Sequence, residues 1–567
     1  MPAGTLHTIL LSPHTIRPSS LTHQIQATSL PQNPKDQEDN NVPQNQEKRQ
    51  HTRSAAHCPH QSSLCFDCTA MASSLPSELD GSGPSSLPSE KETSLNNPAD
   101  LEAQGDNENG ANNSKDPNLV TWNGPDDPEN PKNWPDKAKW KFTVGVSLFT
   151  FISPVSSSMV APAIAQLGHD LHMKSQFEEE LALSIFILAY AIGPFFFGPY
   201  SEVYGRKRLL QVSNLWYFAW NLACGFAQNK AEFFVFRFLA GLGGSAPLAV
   251  GGGAIGDVWT AEQRGRAMGI YTLAPILGPV LGPVAGGWIA QYSTWRWVFW
   301  SSSIAAMAVQ VYGIFGLRES HGSTLLRQKK ARLIKETGNH DLYLGGDADL
   351  PLHTKILGAV KRPVLLFFTQ PIVLLIATYM AYIFGLNYLF IATFPEVWSG
   401  VYGESLGIAG LNYISIGIGA FSLKARNGDV GRPEFRIPTM SIGSPLVTIG
   451  LFWYGWAIQA RVFWVVPNLG IIVFTAGSIV CLAGMQTYIV DIYTRYAASA
   501  FASAAIIRSL AGFAFPLFAP YLYQDLGYGW GTSVLAFISI GLGWTSPMIF
   551  WFLGEALRKR SKYAAGE

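Results

Sequence analysis

The chain has 567 residues, 48% of them hydrophobic and only 14% charged, with a formal net charge of +1. An ordinary globular protein is roughly 25% charged, so most of this chain is not composed for water. A near-neutral chain also lacks the basic face that nucleic-acid binding requires.

Residues 1–135 stand apart. They are rich in Ser, Asn, Pro, Gln and Asp and hold no apolar run of membrane-spanning length, a composition that predicts a disordered tail. Neither a signal peptide nor a mitochondrial presequence is legible in it. Cys58, Cys65 and Cys68 cluster with His57 and His60 in HCPHQSSLCFDC, but the spacing fits no standard structural zinc site. Met71 follows at once and opens MASSLPSELDGS, which reads as a start of its own. The sequon Asn112-Asn113-Ser114 should stay bare on the cytoplasmic side.

After Trp140, apolar stretches of about 20 residues recur, the length that crosses roughly 30 Å of hydrocarbon as a helix. In chain order they fall at about 141–166, 181–200, 209–228, 232–254, 268–290, 297–317, 364–394, 405–422, 437–459, 462–489, 497–522 and 529–553. The predicted class is therefore an all-α membrane protein of twelve transmembrane helices. Six spans (136–317) are separated by a polar loop (318–363) from six more (364–554), with a short tail at 555–567. Such a 6+6 layout is the signature of a transporter built from two similar halves. Lys and Arg set the orientation. They crowd the loops that share a side with the termini (Arg206, Lys207, Arg208, Arg264, Arg266, the central loop, Lys424 to Arg436), while the opposite turns hold only Lys174, Lys230, Arg296 and Arg461. Both termini should be cytoplasmic.

The turn between the second and third spans reads GPYSEVYGRKR. Gly198 and Gly205 allow close helix approach and a tight reversal. Glu202 has the chemistry to accept from a helix N-terminus or an arginine, and Arg206, Lys207 and Arg208 anchor at lipid headgroups. A headgroup anchor alone needs only the bases. Asp257, closing the fourth span, is placed to pair with Arg206 or Lys207. On the fifth span Gly278, Gly282 and Gly286 repeat every four residues, a smooth face for a close helix neighbour, and Pro279 and Pro283 should kink the helix. Gly287 extends that small-residue patch.

These stretches together resemble the major facilitator superfamily, in particular its fungal drug:proton antiporter branch with twelve spans. The supporting segments are TWNGPDDPENPKNWP (121–135), RFLAGLGGSAP around Arg237, LGPVLGPVAGG (277–287), GRPEFRIP, and TRYAASAFASAAIIRSLAGFAFPLFAPYLY. The resemblance covers about residues 120–562. It implies that Gly198, Glu202, Gly205, Arg206 and Lys207 form a charge latch locking one access state, and that Gly278 to Gly287 are the antiporter motif. It further implies a plasma-membrane monomer exchanging small molecules, such as drugs, fungicides, polyamines or a toxic metabolite of the organism itself, for protons, with no cofactor and no metal. Proton-coupled nutrient import and a non-transporting sensor are the alternatives. One departure stands out. Where the family carries a longer eighth span and an acid–base loop, this chain reads YISIGIGAFSLKARNGDVGRPEFR, so its eighth span should be short.

Charges inside apolar runs are functional by default. Arg237 lies in the fourth span, either snorkelling to the surface or facing a cavity, and Arg508 lies mid-run in the eleventh. Tyr382, Asn387 and Tyr388 of the seventh span, with Trp456 of the ninth, are the aromatic and polar groups expected around flat apolar or cationic cargo. No intramembrane acid marks itself as the proton carrier. The GxxxxGK[ST] nucleotide loop is absent, and no catalytic constellation points to an enzyme.

Overall fold

The computed structural model describes residues 118–345, 352–422, 437–493, 497–559 and 561. The Cys/His cluster, Met71, the sequon and the loop Lys424 to Arg436 lie outside these residues. The first half comprises α1 (Asp136–Met159), α2 (Ile164–Asp170), α3 (Gln176–Tyr204), α4 (Arg206–Cys224), α5 (Lys230–Val258), α6 (Ala261–Tyr271), α7 (Leu273–Tyr292) and α8 (Arg296–Gly316). The helix α9 (Gly322–Thr337) follows in the central loop. The second half contains α10 (Leu352–Thr369), α11 (Pro371–Pro395), α12 (Leu406–Leu411), α13 (Ile414–Ser422), α14 (Ile437–Gln459), α15 (Val465–Ile492), α16 (Ala497–Ser539) and α17 (Thr545–Lys559). Helices dominate because a backbone in hydrocarbon can satisfy its polar groups only within itself. Two entries into the membrane are capped locally: Ser175 accepts from the Glu178 amide at the start of α3, and Asn229 from the Glu232 amide at the start of α5.

Nine segments among the described residues are long and apolar enough to cross a membrane. The last, Ser499–Lys559, counts twice. Gly527 takes φ +70°, and Gly531 returns beside Tyr523, which a straight helix would hold about 12 Å away at 1.5 Å per residue. The helix α4 is less apolar because Asn214 and Asn221 interrupt it, yet both are buried and spent on α8. Asn214 donates to the Ala306 carbonyl and Gln310 (3.1 and 2.9 Å), and Asn221 to the Phe299 carbonyl, Ser302 and Ser303 (3.0, 2.9 and 2.9 Å). Among the described residues the eighth span comprises α12 and α13, an apolar stretch, Leu406–Gly419, broken at Asn412 and Tyr413.

Inside the first half α5 packs between α3 and α4, and α1 lies along α7; inside the second, α14 pairs with α15 and α11 with α16. The two halves meet along α3 with α16 and α7 with α12. At the end away from the termini this seam is closed by polar contacts. Gln291 accepts from the Gly407 amide at 2.8 Å, and Gln524 bonds Gln176.

The disorder expected through residue 135 does not extend to residues 118–135, which fold against α9. Val120 donates to the Tyr343 carbonyl, and Lys329, buried, donates to the Thr121 carbonyl and Asn123 (both 2.8 Å) with Asp127 at 3.6 Å. The Asp127 carboxylate also accepts the amides of Asn123 and Glu129 at 2.8 and 2.9 Å. These amide bonds first, and the Lys329 charge after them, hold its pKa below the usual aspartate value. A depressed carboxylate contributes stability above its unfolded pKa and loses it as pH falls through the folded one. This cap should therefore stay closed at neutral pH and loosen only below about pH 4. Limited proteolysis after Trp122 at descending pH checks this, and Asp127→Asn should open the cap already at pH 7.

Candidate functional site

Three clusters carry charge into or beside the apolar body. The first is the α3–α4 turn. Gly205 sits at φ +94°, a left-handed conformation that L side chains avoid. A Cβ there would also strike the Glu319 carboxylate. Glu319, just past α8, accepts the amides of Arg206 (2.8 Å), Lys207 (3.3 Å), Ser320 and His321 (both 3.0 Å), placing a carboxylate on the positive end of α4. The Arg206 guanidinium reaches Asp257 through Nε at 3.1 Å and Ser201 through Nη1 at 2.5 Å. It lies along Gly253, where a Cβ would stand 3.1 Å from Nη2. From α9, Arg327 donates to the Val203 carbonyl at 3.0 Å. Arg206 and Asp257 thus pair as their types suggest. Glu319 is an acceptor at the α4 N-terminus that its sequence position does not suggest, and Glu202 lies exposed at the surface of the same turn. Gly198 meets nothing within 4 Å of where a Cβ would sit. All the ties around Arg206 lie within the first half and its following loop, not across the seam. Gly205→Ala should cost about 1–2 kcal/mol for the left-handed backbone alone, read as a lower melting temperature in detergent, whereas Gly198→Ala should be neutral.

The second cluster is at mid-depth. Arg237 is fully buried and does not snorkel. Its Nη2 donates to the carbonyls of Ser156 and Ser157 (3.0 and 3.1 Å), while Nε and Nη1 find no partner. Its guanidinium stacks over Phe186 at 4.5 Å and Phe299 at 5.5 Å. Arg508, half-buried on α16, lies over Phe384 at 4.9 Å with an unpartnered Nε. Between them stands Tyr388, whose hydroxyl meets Ser157 across the seam at 3.4 Å and which lies within electrostatic reach of both arginines. Asn387 is occupied by its own helix, donating to the Ile383 carbonyl at 2.8 Å. Tyr382 does not join this group, because its hydroxyl is tied to the Leu535 carbonyl. Trp456, bonded to Ser533 at 3.1 Å, is on an exposed face beside Trp530.

The third cluster closes the far seam and was not legible as a site. Glu180, on the first turns of α3, is 9% exposed, and its Oε2 has no hydrogen-bond partner. Glu396, an exposed residue of the π-turn after α11, and Glu179 on its own helix are the like charges around it. Buried Tyr413 faces it from the break between α12 and α13.

The glycine row of α7 is filled by α1. Cβ atoms at Gly278, Gly282 and Gly286 would land on Pro154, Ser158 and the Met159 carbonyl, while one at Gly287 would land on the Leu406 carbonyl of the other half. Pro279 and Pro283 do not interrupt α7. The helical run is broken ahead of them, at Thr272, after which α7 begins afresh. No group of three or more metal-ligating side chains occurs among the described residues.

Comparison with known proteins agrees with this arrangement. Residues 146–516 match the Major Facilitator Superfamily model. The chain is 61% identical over 467 residues to the efflux pump vrtL of Penicillium aethiopicum, covering 80% of this chain and 92% of that one. It is 39% identical to the efflux pump radE of Floropilus chiversii, covering 79% and 86%. Among solved structures, a D-xylose-proton symporter superposes with a TM-score of 0.55 at 17% identity, over 73% of this chain and 97% of that one. At that identity it speaks for the fold alone.

Proposed function

We propose that this chain, which belongs to the Major Facilitator Superfamily, is an exporter of amphiphilic organic compounds that runs by proton antiport and alternating access. The relatives named as efflux pumps support export, and the twelve-helix arrangement supports a central site reached alternately from either side. The observation that carries the antiport reading is Glu180, a carboxylate with an unpartnered oxygen buried where the two halves close. With the termini cytoplasmic, that seam is the outer one. Protonation from outside removes the charge that Glu396 and Glu179 repel and that burial disfavours, so a bound proton holds the outer seam shut and turns the site inward. Its release to the cytoplasm through the inward-facing site as cargo binds restores the repulsion and reopens the outer seam. Arg237, Arg508 and Tyr388 then receive cargo from the cytoplasm, and the plasma membrane is where such a pump clears it. One monomer holds all of these groups.

The reading is tested in a yeast strain lacking its own efflux pumps, loaded with a fluorescent amphiphile. Expression of the chain should speed dye loss at external pH 5, and a protonophore should remove the gain. Dye loss unchanged by expression, or unaffected by the protonophore, overturns it.

A further inference from the structure

Resting on the exporter reading, we infer that the mid-depth site recognises an anion, and that the cargo is a flat aromatic acid carrying one carboxylate, phenolate or sulfonate. Two guanidinium groups stand at this site, one from each half, and guanidinium stays charged in proteins. A buried charge is normally matched by an opposite one. Here the ionisable groups within reach of Arg237 are Cys224, Tyr217, Tyr190 and Tyr388, and those within reach of Arg508 are Tyr388 and Tyr271. Not one is a carboxylate. The two charges are therefore uncompensated by any described residue.

The donors are also aimed and vacant. The Ser156 and Ser157 carbonyls hold one nitrogen of Arg237, fixing the plane of the fork and leaving Nε and Nη1 without a partner, while Nε of Arg508 is likewise unfilled. Buried N–H groups in proteins are nearly always satisfied, so vacant ones at a seam that opens mark a place for an acceptor brought in from outside. With Nη2 occupied, Nε and Nη1 of Arg237 and Nε of Arg508 each offer a single charge-assisted hydrogen bond to a carboxylate-like oxygen. The surrounding walls are aromatic: Phe186, Phe299, Phe384 and Tyr388, the last two with ring centroids 5.0 Å apart. Rings of this kind stack on a planar apolar body. A cationic drug or polyamine, by contrast, would meet two like charges and no acid. The cationic cargo that the aromatic residues alone suggest is thereby disfavoured.

The test uses the full chain in lipid nanodiscs and three probes of one shape: 2-naphthoate, its neutral methyl ester, and 2-naphthylmethylammonium. Tryptophan quenching should rank naphthoate at least tenfold tighter than either companion. Arg237→Gln with Arg508→Gln should bring naphthoate down to the affinity of the ester, and Arg508→Lys should fall between. The comparison within the unmodified chain stands even if the double variant does not fold. Equal affinities, or preference for the ammonium, overturns the inference. So does protection by chloride that naphthoate cannot displace, which would make the site an inorganic counter-ion site only. Efflux from loaded cells separates the two claims. If naphthoate binds but is not exported, the exporter reading fails and the anion site stands; if the neutral ester is exported as fast as the acid, export stands and the anion class fails.

Discussion

Glu180→Gln should cut pH-driven efflux by about tenfold or more, a change of about 1.4 kcal/mol or above in the coupled step, while binding of cargo at the mid-depth site stays intact. Glutamine keeps the size of the side chain and mimics the protonated state permanently. The seam would then stay shut whatever the external pH. As a scale, two unit charges about 8 Å apart at an effective dielectric near 20 repel by about 2 kcal/mol, enough to move a two-state equilibrium by more than tenfold. The groups facing Glu180 from the other elements are Glu396 and Tyr413, with Glu179 beside it, so among the described residues no base is at hand to cancel the effect. Glu396→Gln should give a weaker version of the same phenotype, since Glu396 is exposed and its charge partly screened. The measurement is efflux rate against external pH from 5 to 8 at matched surface expression. A Glu180→Gln transporter with the pH profile of the parent would remove Glu180 from the coupling machinery.

Glu180 illustrates what the sequence hides. Glu178, Glu179 and Glu180 stand at the boundary of an apolar run, where acids ordinarily meet headgroups. Successive residues on a helix diverge by about 100°, so three in a row cannot share one environment. Glu178 turns to Lys230 at 2.6 Å, Glu179 lies against Gly168, and Glu180 is left facing the other half. The triplet is the signal; its meaning depends on α11 and α12 closing over it, a contact more than 200 residues away. Glu319 was illegible for the same reason, since it serves amides 112 and 113 residues distant. By contrast, spans, halves and the arginines at 237 and 508 were readable, because hydropathy and a charge inside an apolar run are local properties. That Tyr382 turns its hydroxyl to the Leu535 carbonyl and Trp456 lies on an exposed face was not readable, because hydropathy marks a residue as membrane-buried without saying which way a helix turns it.

Arg206→Ala should be the most damaging change at the α3–α4 turn. The side chains of Arg206 and Asp257 are only 13% and 23% exposed, so removing the arginine leaves a largely enclosed carboxylate without its partner, at a cost of about 3 kcal/mol. The same change frees Ser201, which Arg206 also holds, and loosens α3, α4 and α5 from one another at their shared end. Membrane insertion should be little affected, because the group lies at the end of its span where charge is tolerated. Arg206→Lys keeps a cation but not the two-pronged reach to Asp257 and Ser201, so it should recover only part of the loss. Glu319→Gln should be milder, about 1 kcal/mol, because the α4 amides keep an uncharged acceptor and lose only the charge–dipole attraction. Glu202→Gln, at an exposed position, should cost less than either if the turn works through Arg206, Asp257 and Glu319. Efflux rate and detergent melting temperature, both normalised to surface protein, give the ranking. Loss of transport in Glu202→Gln with normal transport in Arg206→Ala would place the latch on Glu202 and take it away from Arg206, Asp257 and Glu319, which this fold joins.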